Sequence, residues 1–281
     1  MAQRWMQVRQ RRGPLDGGWR LRLWDGSVVC LPRGSRMTWS VAATGHWDRH
    51  VIEMLTHYIE PGTLVLDVGA SLGLWTLPLA WAARSRGGRV WCFEPNPENL
   101  PWLQANIDRN ALRAVAEVHA LALGSRAGTA RLGYREHGGG NGALLDADAV
   151  DSVTVPVARI DDLEFPQRVS FVKMDVEGFE LEVLRGGHAL IGRDRPAIFG
   201  EFNAAWLKLR GEDLAAGLTV VTALGYEVFE LEERRSAGWR SRDRTSLRRL
   251  EQPFLPSSQN LLLLPAERCG QRGPATSPEQ P

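Results

Sequence analysis

From Thr63 to Phe202 the apolar positions come in short runs, each followed by a turn and in places by a stripe at helical spacing. The runs Thr63–Val68, Arg89–Phe93, Glu117–Leu123, Ser170–Val176 and Ala197–Phe202 predict strands. Stretches without alternation, such as Leu64-Val65-Leu66 and Ala197-Ile198-Phe199, suit strands covered on both faces of a parallel sheet. After the second run, Asn96 reads as a helix N-cap, Pro97 as the first helical residue, and Leu100, Leu103 and Ile107 as the buried stripe. Strands alternating with helices predict a doubly wound α/β fold.

The flanks depart from this grammar. Trp19–Trp39 alternates apolar and polar residues around Asp25-Gly26, which predicts a hairpin. Val51, Leu55 and Tyr58 predict a helix over Trp47–Ile59, ended by Pro61-Gly62. Thr129–Tyr134 and Ser152–Ile160 predict strands with only the glycine-rich loop 137–142 between them, hence an inserted hairpin or small extra sheet. Tyr226–Leu231 and Gln259–Leu264 predict a closing antiparallel pair joined by an arginine-rich loop. The expected organisation is a polar tail with a β-hairpin extension over 1–46, one α/β domain over 47–265, and a disordered tail over 266–281.

Composition narrows the partners. Thirty-four basic against 33 acidic residues leave a net charge of +1, so no global field draws the chain to nucleic acid or membrane. Cys30, Cys92 and Cys269 form no CxxC pair, which argues against a disulfide framework or zinc ribbon and fits a reducing cytoplasm. The basic start is not followed by a signal peptide's apolar run, and the apolar runs are far shorter than a bilayer span. A cytoplasmic, soluble protein is expected, with a homo-oligomer left open. Lysine occurs only at Lys173 and Lys208, which reads as a composition bias.

The strongest chemical signal is the run from Leu64 to Gly73, where a buried strand ends in Asp67 and turns through Gly69 toward a helix. Glycine lets the backbone turn sharply and lets a ligand approach. The site falls at the carboxyl end of the first strand, where open α/β sheets bind ligands. The glycines read G-x-x-x-G and not the dinucleotide pattern G-x-G-x-x-G, and no phosphate-cradling G-x-x-x-x-G-K-[ST] is present. An anion beside Asp67 would be repelled, whereas the ammonium and sulfonium of S-adenosylmethionine would be attracted. Glu94 ends the next strand, where a carboxylate suits a ribose cis-diol.

The chain resembles the FkbM-type methyltransferases. Asp67–Gly73 is similar to that family's first motif and Phe93-Glu94-Pro95 to its second. Ala122-Leu123-Gly124 resembles the segment flanking the adenine, and Arg159–Leu163 the stretch before the fourth strand. Val172–Glu180 is similar to the K-x-D-V-E-G-x-E signature. The resemblance, from about Trp47 to Pro265, implies a mixed seven-stranded Rossmann-like sheet, mostly parallel with the last strand antiparallel and helices on both faces. It also implies S-adenosylmethionine as donor and O-methylation of a small molecule such as a secondary metabolite or sugar. The expected donor-binding residues are Asp67, Gly69, Ala70, Ser71, Gly73, Glu94, Pro95, Asn96, Ala122, Leu123 and Asp175.

A hydroxyl acceptor gains from a base near its proton. Asp175 is the first candidate and Glu201 the second, with Glu177 as a rival whose bland role is helix capping. Asp175 has an alternative task in holding the donor's amino group. His46 and His50 stand four apart, but without the H-E-x-x-H pattern no metal is assigned. An Mg²⁺ site at Asp175 and Glu201 is left open. Arg234–Arg249 reads as a solvated loop or a lid. Methylation of nitrogen, RNA or protein, an NAD-dependent oxidoreductase and a silent nucleoside-binding module are the competing readings.

Overall fold

The computed structural model describes residues 17–134, 142–145, 152–234, 244–250 and 259–270. The glycine-rich loop over 137–141, the middle of the arginine-rich loop over 235–243, and the tails 1–16 and 271–281 lie outside the described residues.

The expected hairpin forms from β1 (Gly18–Arg22) and β2 (Val28–Pro32). Gly26 takes φ +88°, and the Asp25 carboxylate accepts from the Ser27 N–H at 2.9 Å. The rest of the predicted Trp19–Trp39 hairpin is a helix, α1 (Arg36–Thr44). Ser35 caps it by accepting from the Thr38 N–H, so the alternation does not continue past Pro32. Helix α2 (Arg49–Leu55) is shorter than predicted and tightens into a 3-10 turn over Thr56–Tyr58.

The central sheet starts with β3 (Leu64–Val68), β4 (Arg89–Phe93) and β5 (Ala116–His119), linked by α3 (Thr76–Ser85) and α4 (Leu100–Arg109). The predicted strand Glu117–Leu123 is split. Its end, β6 (Ala122–Leu123), crosses into a second sheet with β7 (Gly128–Tyr134), β8 (Gly142–Leu145) and β9 (Ser152–Ala158), in the order β6-β9-β7-β8. The chain then supplies β10 (Val169–Met174), α5 (Glu180–Gly186), α6 (His188–Asp194) and β11 (Ala197–Phe202). It ends with α7 (Ala204–Leu209), α8 (Leu214–Thr222), β12 (Tyr226–Arg234), β13 (Arg244–Arg249) and β14 (Gln259–Pro265).

The central order is β13-β12-β14-β11-β10-β3-β4-β5, and β14 runs antiparallel to both neighbours. Seven of these strands follow the expected mixed sheet. The eighth, β13, comes from the arginine-rich segment that the sequence pattern left as a loop. Arg248 reaches Glu230 and Glu232, and Arg249 pairs with Glu227 at 3.0 Å, so cross-strand charge pairs hold a polar edge strand in register.

Apolar layers cover both faces of the sheet. Val65, Leu77, Leu103 and Phe171 pack with the hairpin's Val29 and Leu31 on one side, and Leu66, Val172, Leu184 and Leu218 pack on the other. Every residue of β3 and β10 is buried, which is why neither strand alternates. Asn106 on α4 and Asn110 at its C-cap stitch the hairpin to this body. The Asn106 side-chain oxygen Oδ1 accepts from the Cys30 N–H at 2.7 Å, and Oδ1 of Asn110 from the Val28 N–H at 2.8 Å. Beyond β14, residues 266–270 are not a disordered tail. Arg268 is buried in a 3-10 turn and donates to the carbonyls of Ser170 and Tyr58 at 3.0 and 2.8 Å.

Candidate active site

Strands β3, β4 and β10 deliver their carboxyl ends to one edge, where a cleft of about 690 Å³ opens partly to solvent. Its floor is the turn after β3. Gly69 has φ +77°, and a Cβ there would stand 2.0 Å from the Asp175 carbonyl oxygen, so only glycine lets the β3 and β10 loops touch. Gly73, at φ +90°, closes the turn and lies outside the lining, as does Ala70.

Asp67 corrects the expectation that it faces the ligand. Its side chain is fully buried beneath the turn and does not line the cleft. One oxygen accepts from the Thr76 hydroxyl at 2.6 Å, and the other faces the Lys173 ammonium at 3.2 Å. Lys173 also donates to the Gly69 carbonyl at 2.9 Å. Burial works to lower the Lys173 pKa, but Asp67, Asp175 and Glu94 outweigh it and hold the proton on. The Asp67 charge is therefore spent on a buried pair that braces the turn. Lys173 is the lysine of the K-x-D-V-E-G-x-E stretch, but the sequence reading assigns it no task at the site. Its signal was its place among the unbroken apolar positions of a buried strand.

Glu94 does face the cleft, almost fully buried. Its carboxylate accepts from the backbone N–H groups of Ser71 (2.7 Å) and Asn96 (2.8 Å) and from the Asn99 amide (3.2 Å), tying the β3 and β4 loops together. Burial pushes its pKa up against those hydrogen bonds. Asn96 consequently does not cap α4. Its side chain accepts from the Glu98 N–H at 2.9 Å in the turn before the helix, which starts at Leu100.

The loop after β10 forms the third wall. Asp175, Val176 and Glu177 line the cleft, and Glu177 adopts φ +51° with its carboxylate accepting from the Trp206 indole at 3.1 Å. Beneath the loop, Glu180 is fully buried and accepts from the N–H groups of Val176 (3.0 Å) and Gly178 (3.3 Å). Burial pushes its carboxyl up to about 7, with those bonds acting the other way. Glu201, exposed near the end of β11, does not line the cleft. Desolvation and the carboxylates of Asp175, Glu177 and Asp48 push it up to about 7.

Of the sequence-predicted residues, the structure thus brings together Gly69, Ser71, Glu94, Pro95, Asn96, Ala122, Leu123 and Asp175. It adds Phe93, Leu121, Leu132 and Val176 as an apolar lining, and Met37 from α1, a helix that the pattern around Pro32 concealed. His46 and His50 lie with ring centroids 6.5 Å apart, and no group of three or more metal-binding side chains occurs among the described residues.

The lining fits a nucleoside without phosphate. It carries three carboxylates, Glu94, Asp175 and Glu177, and no lysine or arginine among the described residues. A pyrophosphate there would meet a wall of carboxylates, whereas a sulfonium and an ammonium would be drawn in. A parallel sheet with an antiparallel strand inserted near one end, and such a cleft at its carboxyl edge, defines the class of Rossmann-like S-adenosylmethionine-dependent methyltransferases. The chain matches the methyltransferase FkbM domain over residues 67–228 and belongs to that family, which uses S-adenosylmethionine as methyl donor.

The chain is 29% identical over 143 residues to the hexuronic acid methyltransferase AglP of Haloferax volcanii, a match covering 50% of this chain and 56% of that protein. It is 28% identical over 147 residues to methyltransferase 1 of Beauveria bassiana, covering 44% of this chain and 58% of the relative. The matches therefore span little more than half of these relatives' own lengths. Among solved structures, the FkbM methyltransferase of Methylobacillus flagellatus KT shares 20% identity at a TM-score of 0.44, over 73% of this chain and 44% of that one. No helix among the described residues is long and apolar enough to cross a membrane.

Proposed function

We propose that this protein transfers the methyl group of S-adenosylmethionine to a hydroxyl oxygen of a small molecule. The observation that carries the reading is the cleft of about 690 Å³ whose described lining holds three carboxylates and no lysine or arginine, at the edge where α/β sheets bind ligands. Glu94 accepts from the ribose hydroxyls with the lone pairs its backbone partners leave. Ala122, Leu123 and Leu132 cover the base, and Asp175 faces the amino group. Asp67, Ala70 and Gly73 act indirectly, by shaping the turn.

The bound donor supplies an already activated methyl on a positive sulfur. The chain's task is then to orient the acceptor and take its proton. Glu201 suits the second task, because a carboxyl near 7 is partly ionised at neutral pH and strong enough to accept. Asp175 is the other candidate base. The printed activity of the Haloferax volcanii relative points to a sugar acid as acceptor class. We take residues 47–265 as the catalytic domain and the 1–46 extension as contributing Met37 to its cleft. The three free cysteines go with a reducing, cytoplasmic location.

Titration calorimetry with S-adenosylhomocysteine and with NAD, followed by labelled-methyl transfer to a panel of uronic-acid glycosides, tests the reading. Binding of the first ligand alone and label on oxygen are expected. A folded protein with no affinity for S-adenosylhomocysteine would sink it.

A further inference from the structure

Four constraints converge on the backbone between Asp175 and Gly178. The Asp175 N–H donates to the Val68 carbonyl at 3.0 Å, and the Asp175 carbonyl lies against Gly69. Gly178, at φ +95°, packs so close to Trp206 that a Cβ would stand 2.6 Å from that residue's Cβ. The fourth constraint is a charge. Glu180, at the start of α5, turns one carboxylate oxygen back onto the N–H groups of Val176 and Gly178, while its other oxygen is buried without a hydrogen-bond partner. A carboxyl with nothing exposed, beside the Asp175 charge, is expensive to keep.

We propose that Glu180 is the positioning residue of the donor cleft: its carboxylate clamps the Val176 and Gly178 amides and so holds Asp175, Val176 and Glu177 against the bound nucleoside. The assignment rests on the reading of the cleft as the S-adenosylmethionine site. Glu180 does not line the cleft, so it acts through the loop. Losing the clamp would let the loop drift while β10, fixed on both sides by β3 and β11, stays in place.

The test uses the full chain with Glu180→Leu, which keeps the bulk and removes both oxygens, and Glu180→Gln, which keeps one acceptor. Hydrogen exchange reads the loop directly. Amides of Val176 and Gly178 are expected to lose protection about tenfold or more in Glu180→Leu, with β10 amides unchanged. Calorimetry with S-adenosylhomocysteine is expected to show affinity about tenfold weaker in Glu180→Leu, with Glu180→Gln recovering part of it. Tyr226→Phe, which removes a buried hydroxyl bonded to the Pro196 carbonyl at 2.9 Å far from the cleft, is the control for general destabilisation and should bind normally. Unchanged protection at Val176 and Gly178, or wild-type affinity in a folded Glu180→Leu, overturns the proposal. If Glu180→Leu does not fold, Glu180→Met, which also lacks both oxygens, carries both measurements against the same criteria. Failure of the wild-type chain to bind S-adenosylhomocysteine would count against the reading of the cleft, while exchange still decides the clamp.

Discussion

Asp67 and Glu94 stand at the ends of adjacent strands, both buried, yet they have opposite employment. Asp67 lies below the glycine turn, where the Thr76 hydroxyl bonds one oxygen and the Lys173 ammonium faces the other, out of the cleft. Glu94 lies at the wall of the cleft, where its hydrogen-bond partners are neutral N–H groups and the Lys173 ammonium acts on it only from a distance. The same residue type thus braces the fold in one place and shapes recognition in the other. What differs is whether a cation shares the burial. A paired buried carboxylate is a structural device, and one removed from its partner becomes a liability.

The largest effect that would break this contrast is at the buried pair. Asp67→Asn strands the Lys173 ammonium and is expected to lower unfolding stability by about 3–5 kcal/mol, read by urea denaturation. Asp67→Asn with Lys173→Met should recover much of that loss, because no unpaired charge remains. If Asp67→Asn were as stable as wild type, the bracing role would be wrong.

Next comes the end of β11. Glu201→Gln is expected to cut labelled-methyl transfer about a hundredfold. Its carboxyl pKa is raised to about 7, so the base is protonated below that value and active above it. The wild-type rate should therefore rise with pH through about 7, and the Gln variant should show a flat profile there. A Gln variant that keeps the rise would move the base to Asp175.

Glu94→Gln sharpens the comparison from the binding side. One acceptor oxygen is kept, so S-adenosylhomocysteine affinity should fall about tenfold, with a stability loss near 1 kcal/mol. A stability loss as large as that of Asp67→Asn would show that Glu94 is a second brace. The smallest effect is expected on the surface, where Arg49 and Glu53 pair at 3.0 Å with both side chains well exposed. Arg49→Ala should change stability by less than about 0.5 kcal/mol, since water screens the pair.

The strand-turn-helix from Leu64 to Gly73, the tip of β4 at Glu94 and the K-x-D-V-E-G-x-E stretch were legible because each is written in consecutive residues. An unbroken apolar run, a glycine where φ must be positive and an acid at a strand end need no knowledge of the rest of the chain. Asn96 was misread for the complementary reason. Its local pattern fits an N-cap, but the Glu94 carboxylate holds its N–H in a turn and delays the helix to Leu100. Helix α1 is hidden because the apolar-polar alternation gives no sign of ending at Pro32, and only the Ser35 cap marks the change. The strand β13 was hidden because its register depends on glutamates of β12.

On its own, the amino-acid sequence determined the doubly wound class, the glycine bend and which acids stand at strand ends, since these follow from period and backbone sterics over a few residues. Tertiary structure alone decided which of those acids keeps its charge for a ligand. Lys173 reaches the turn from 104 residues beyond Gly69, and Met37 reaches the cleft from the opposite flank. Desolvation and Coulomb pairing depend on distance through space and not on separation along the chain, so no local sequence pattern can report them.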